Sequence, residues 1–252
     1  MILPPILPGH RLTRLYVLDF GLFDVGPGQR TIGIPGFLLE TDGGARVLFD
    51  TGFPPEYVSD FTATAARDGL DRFGAFAEMG AANTAAGQLA LLGLTPSDIS
   101  HVILSHGHID HVGSLPLFSH AEIVLTAVER ADEKPCYFFD VQPYDWPEAR
   151  YRTIDGDSAF CEGVTLIPTP GHTAGHLSAH LTLPDGRQVI LAADAINRIS
   201  EPDEGFADAK DPARAMQSFH RLDALARQTG AAMIYGHEPS QWPGLPKAPL
   251  PY

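Results

Sequence analysis

Five apolar runs in this chain, far apart in sequence, each lead directly into an aspartate or a histidine. Leu48-Phe49 precedes Asp50, Leu104-Ser105 precedes His106, and the Pro170-Gly171 turn precedes His172. Ala192-Ala193 then precedes Asp194, and Tyr235-Gly236 precedes His237. α/β folds build sites by delivering polar groups from strand ends to one edge of a sheet. Only folding can bring these five segments together, so the chain is expected to place their strand ends on a common rim.

The rest of the sequence supplies material for such a fold. Strand-like runs occur at Leu15–Leu18, Gly36–Glu40, Val47–Phe49, His101–Ser105 and Glu122–Leu125. Further runs follow at Val164–Ile167, His176–Leu183, Val189–Ala192 and Ala232–Tyr235. A helix is predicted from Pro212 to about Gln228, capped by Asp211, with Met216, Phe219, Leu222, Leu225 and Ala226 on one face. A second is predicted over Thr84–Leu92, closed by Gly93, while residues 53–80 read as a partly helical loop. No repeat or flexible linker divides the chain, which reads as one domain over residues 1–252.

Charge narrows the partners. With 17 basic and 31 acidic residues the formal net charge is −14, which repels phosphate backbones and anionic membrane surfaces. No nucleic acid or membrane partner is expected, and no stretch is long and apolar enough to span a bilayer. The N-terminal residues do not read as a signal peptide. Cys136 and Cys161 are therefore expected as free thiols in a reducing, cytoplasmic setting.

The densest chemical signal is His106-Gly107-His108-Ile109-Asp110-His111, three of the 11 histidines within six positions. Imidazole and carboxylate suit zinc and similar divalent metals. His106 and His108, two apart after a strand, can project the same way, whereas Asp110 and His111 continue the turn and can face a second ion. Adding His172, Asp194 and His237 makes five imidazoles and two carboxylates, a complement suited to two metals.

This H-x-H-x-D-H segment, followed by single His, Asp and His residues, resembles the signature of the metallo-β-lactamase superfamily. The likeness runs from the strand before Asp50-Thr51-Gly52 to Gly236-His237. It implies an α/β fold, an αββα sandwich of two mixed sheets with helices on the outer faces. It also implies one metal at His106, His108 and His172 and a second at Asp110, His111 and His237, with Asp194 bridging. Zinc is the first expectation; Mn, Fe or Co also fit. Within the superfamily the chain is most similar to the quorum-quenching N-acyl homoserine lactone lactonases. The Pro-Gly-His-x-x-Gly-His turn at 170–176 and the Tyr235-Gly236-His237-Glu238-Pro239 tail carry that likeness.

The resemblance implies a dinuclear hydrolase that opens a lactone ester by attack of a metal-bridging hydroxide, and it suggests a homodimer. Another lactone (4-pyridoxolactone-like), a thioester or a phosphoester is the alternative substrate. Asp110 is the candidate proton donor to the leaving oxygen. Many such lactonases place Tyr three residues after the bridging Asp; here Asn197 stands there, and its amide is the candidate oxyanion donor. Asp50 and His176 are expected to support ligating imidazoles, His176 chiefly as a structural residue. Aromatic segments at Phe53–Tyr57 and Cys136–Phe139 are candidates for an apolar wall over the metals.

Overall fold

The computed structural model describes residues 4–26, 30–135 and 141–252. Its strands in chain order are β1 (Leu12–Val25), β2 (Arg30–Thr41), β3 (Arg46–Phe49), β4 (Gly74–Glu78), β5 (His101–Ile103) and β6 (Glu122–Thr126). They continue as β7 (Arg150–Ile154), β8 (Ser158–Cys161), β9 (Val164–Pro168), β10 (Leu177–Thr182), β11 (Gln188–Ala193) and β12 (Ala232–Tyr235). Seven form a sheet in the order β4-β1-β2-β3-β5-β6-β7, and five form a second in the order β12-β11-β10-β9-β8. Both are mixed. The first is antiparallel up to β3 and parallel from β3 to β7; in the second only β11 and β12 run parallel.

Period-two alternation with apolar residues on both faces explains the layering. In β1, Leu15 and Val17 face the second sheet, while Tyr16, Leu18 and Phe20 point to the opposite side. In β11, Val189 and Leu191 enter the layer between the sheets, and Ile190 and Ala192 turn outward. Helix Pro212–Thr229 covers that outer face with Phe219, Leu222, Leu225 and Ala226. Met216, expected on the same face, lies outside this packed cluster. Asp211 accepts the N–H of Arg214 at 3.1 Å, and Gly230, at φ 70°, ends the helix as expected. The expected αββα sandwich is the observed one. No helix among the described residues is long and apolar enough to cross a membrane.

All nine apolar runs lie on strands, and Thr84 caps a helix at Ala85–Leu91. Three strands had no apolar run to announce them, β4, β7 and β8, and each lies at a sheet edge. The segment 53–80 therefore holds a strand as well as the helices Glu56–Ser59 and Phe61–Asp68.

The topology brings the ligand-bearing ends together. β3 and β5 are parallel with Phe49 opposite Ile103, so Asp50 and Ser105 leave the first sheet side by side. β9 and β11 both run antiparallel to β10, and β12 runs parallel to β11, so all three exit at one rim.

Candidate metal centre

The hexapeptide changes direction in its middle. After β5 the chain turns through His106 and Gly107. His108 then stands at the start of the short helix Ile109–Val112, its carbonyl accepting the Val112 N–H at 3.0 Å. Asp110 and His111 thus sit on a helical turn, aimed differently from the two preceding histidines. At the other sheet, Ala193 adopts φ 46°, a costly conformation for a residue with a Cβ, and swings Asp194 off the end of β11. The turn around His172 needs its glycines. Gly171 has φ 146°, and a Cβ at Gly175 would stand 2.3 Å from the Glu129 nitrogen.

Two groups of side chains result. His106, His108, His172 and Asp194 form one and Asp110, His111 and His237 the other; within each, one ligand atom per residue lies within 4.8 Å of the rest. Asp194 faces both. Its Oδ2 lies 3.3 Å from His172 Nε2 and 3.9 Å from His106 Nε2. Its Oδ1 lies 3.3 Å from His111 Nε2 and 3.4 Å from His237 Nε2. Asp110 Oδ2 is 3.4 Å from His111 Nε2 and 3.3 Å from His237 Nε2. His108 presents Nδ1 instead, 3.0 Å from His172 Nε2.

The far sides of the imidazoles are tied down. Asp50 accepts from the Ser105 N–H, from the Ser105 hydroxyl and from His111 Nδ1 at 2.8, 2.7 and 2.8 Å. With its proton given to Asp50, Ser105 Oγ accepts from His106 Nδ1 at 2.9 Å. The Gly33 carbonyl accepts from His237 Nδ1 at 2.9 Å. Protons held at these Nδ1 atoms turn each Nε2 lone pair inward. His176 Nδ1 pairs with Thr169 Oγ1 at 2.8 Å, and the buried ring packs behind His106, its centroid 5.1 Å away.

The donor set fits a divalent cation. His106 Nε2, His111 Nε2 and Asp194 Oδ1 are buried without a hydrogen-bond partner, a costly state that coordination would relieve. Burial pushes His106, His108 and His172 toward the neutral, ligand-competent form, His108 down to about 3. In the second group burial acts the same way, but the carboxylates outweigh it. Asp110, Asp194 and Asp50 hold His111 well above its ordinary value, and Asp194 with Asp110 raises His237 to about 10. A cation seated there would take the place of those protons.

A cavity of about 620 Å³ opens over the centre. Asp110, His108, His172, Asp194 and His237 line its floor; Phe23, Ile32, Ile34, Phe53, Leu70 and Phe73 supply apolar walls. Of the expected aromatic wall, Phe53 is in place. Tyr57 is instead buried among Phe53, Phe61 and Phe76, its hydroxyl 3.1 Å from Asp68 Oδ2. Cys136–Phe139 lies outside the described residues. Cys161 is a free, buried thiol pushed up to about 11 by that burial.

The Asn197 amide, the expected oxyanion donor, is turned toward Glu201. Asn197 is not among the residues lining the cavity, and its amide nitrogen and backbone N–H both face the Glu201 carboxylate. Its carbonyl accepts the His237 N–H at 2.9 Å, so it braces a candidate ligand through the backbone. Sequence reasoning also passed over Glu129. This buried carboxylate accepts from the Gly107 N–H at 2.8 Å, the Gly175 N–H at 3.0 Å and the Thr173 hydroxyl at 2.8 Å. It thereby joins the two turns that carry His106, His108 and His172.

The family model of the metallo-beta-lactamase superfamily matches residues 35–237. An N-acyl homoserine lactonase of Bacillus thuringiensis is 30% identical over 218 residues, 81% of each chain. The N-acyl homoserine lactonase AttM of Azorhizobium caulinodans is 31% identical over 181 residues, 64% of this chain and 66% of its own. The solved structure of an N-acyl homoserine lactone hydrolase, with N-hexanoyl-L-homoserine at its catalytic metal centre, superposes with a TM-score of 0.81. It is 24% identical, with 96% of this chain and all (100%) of that one covered. The chain belongs to the metallo-beta-lactamase superfamily, within which it is similar to the N-acyl homoserine lactonases.

Proposed function

We propose that this chain is a dinuclear metal-dependent hydrolase that opens the lactone ring of N-acyl homoserine lactones, with residues 1–252 serving as one hydrolase domain. The observation that carries the reading is Asp194, whose two oxygens face separate groups of ligand atoms at 3.3–3.4 Å. His106, His108 and His172 would hold one ion, Asp110, His111 and His237 the other, and Asp194 would bridge them. Zinc is the first choice for both. Bound divalent cations would supply Lewis acidity, activating water near neutral pH and polarising the ester carbonyl.

The protein's own groups do the remaining work. Asp50, Ser105 and the Gly33 carbonyl hold protons at the histidine Nδ1 atoms, so the Nε2 atoms stay fixed inward as acceptor sites. The apolar wall accepts an acyl chain and keeps water from the ring. Asp110, an ionised carboxylate on the cavity floor, would take a proton from the attacking water and pass it to the departing alkoxide. The bond from carbonyl carbon to ring oxygen breaks, leaving a hydroxyl and a carboxylate.

Proton release from a short- and a long-chain acyl homoserine lactone tests this directly. Zinc-loaded protein is expected to hydrolyse at least one of them, to lose turnover to a chelator, and to recover it when zinc is restored. Two bound ions with no turnover of either lactone would overturn the substrate assignment.

The orientation of Asn197 gives a second expectation. Asn197→Ala leaves the backbone carbonyl that braces His237, so kcat is expected to stay within about fivefold of wild type. Loss of a true oxyanion donor would cost about 10²–10³-fold, and a fall of that size would support the role its sequence position suggests.

A further inference from the structure

One wall of the cavity ends in a cation. β2 presents Arg30, Ile32 and Ile34 on one face at the two-residue strand period, and all three line the cavity. Gly33 ties this strand to the metal centre through His237. Three residues at about 3.3 Å each put the Arg30 backbone about 10 Å up the wall from that anchor. The surface between is apolar, formed by Phe23, Ile32 and Ile34.

Among the described residues Arg30 forms no ion pair, and its Nε is buried without an acceptor. Most other arginines in this acidic chain sit against carboxylates, as Arg11 does with Glu162, Arg152 with Glu122 and Arg221 with Asp157. Asp132 and Asp208 also line the cavity, yet neither pairs with Arg30. Lys210, an exposed cation, also lines the cavity, and its backbone N–H donates to the His172 carbonyl at 3.2 Å. A buried donor left unpaired costs about 1–3 kcal/mol. A guanidinium fork is matched best by a planar anion that accepts two hydrogen bonds.

We propose, resting on the lactonase reading, that the natural substrate carries a carboxylate remote from the scissile ester and that Arg30 receives it. The substrate is then a lactone at the metals, an apolar chain along Ile34 and Ile32, and an acidic end in place of a methyl.

Straight-chain dicarboxylates of six to twelve carbons, each with its matched monocarboxylate, probe this on zinc-loaded protein by calorimetry, without any need for turnover. One carboxylate goes to the metals in both series, and only the diacid has a second for Arg30. At the best-fitting length the diacid is expected to bind at least about tenfold more tightly, with the advantage shrinking in high salt. Arg30→Met, with normal metal content, should abolish the preference, and Arg30→Lys should keep part of it. A monoacid that binds as well at every length, or a preference that survives in Arg30→Met, overturns the inference. Diacid preference without lactone hydrolysis would sink the lactonase reading and leave the anion site standing. Lactone hydrolysis without diacid preference would do the reverse.

Discussion

Asp194→Ala is expected to lower lactone turnover by at least about a thousandfold, about 4 kcal/mol of barrier, and to reduce bound metal from near two ions per chain to one or none. Its two oxygens reach separate groups, His172 at 3.3 Å on one side and His111 and His237 at 3.3 and 3.4 Å on the other. Removing them leaves His106, His108 and His172 as neutral imidazoles with no anion to balance a cation. Asp110 remains as the single carboxylate of the second group. Asp194→Asn separates charge from shape, because the amide keeps one acceptor oxygen and can serve only one group. Metal content near one, by elemental analysis, with a wild-type far-UV spectrum, is the expected outcome. An Asn variant that retains two ions and full turnover would show that Asp194 does not bridge.

The parts of this molecule that sequence made legible share a property: they depend on local pattern. Apolar runs ending in Asp or His marked the strands of the rim, and the H-x-H-x-D-H spacing marked the turn that divides the two groups. What stayed hidden depends on contacts between distant segments or lies in strands with too little pattern of their own. β4, β7 and β8 are edge strands of four or five residues, each too short or too mixed in polarity to show an apolar run. The Gly33 carbonyl supports His237 from 204 positions away, and a backbone oxygen leaves no trace in residue identity. Asn197 sat at the right spacing from Asp194, but the orientation of its amide was decided by Glu201, four residues on. Glu129 left one trace, the Thr126-Ala127-Val128-Glu129 spacing, which reads as an ordinary helix start. Thr126 does cap that helix, accepting the Glu129 N–H at 3.1 Å, while the carboxylate goes to the metal-bearing turns instead.

That diversion makes Glu129 the most consequential position outside the candidate ligands. In Glu129→Ala the N–H groups of Gly107 and Gly175 both lose their acceptor in a buried setting, about 1–3 kcal/mol each. Stability is therefore expected to fall by at least about 2 kcal/mol, read as a lower denaturation midpoint at unchanged slope. Metal affinity is expected to fall about 10–100-fold, because the turns holding His106, His108 and His172 are no longer clamped together. Glu129→Gln distinguishes clamping from simple filling of space. The amide has nearly the same volume but only one oxygen. If that oxygen keeps Gly175 and Thr173, its NH₂ confronts the Gly107 N–H, donor against donor. Stability should then recover in part while metal affinity stays low. Recovery of both in the Gln variant would reduce Glu129 to a packing residue. Weak metal binding in an otherwise stable Gln variant would mean that two backbone amides and one hydroxyl, gathered on a single carboxylate, set the spacing of the three-histidine group.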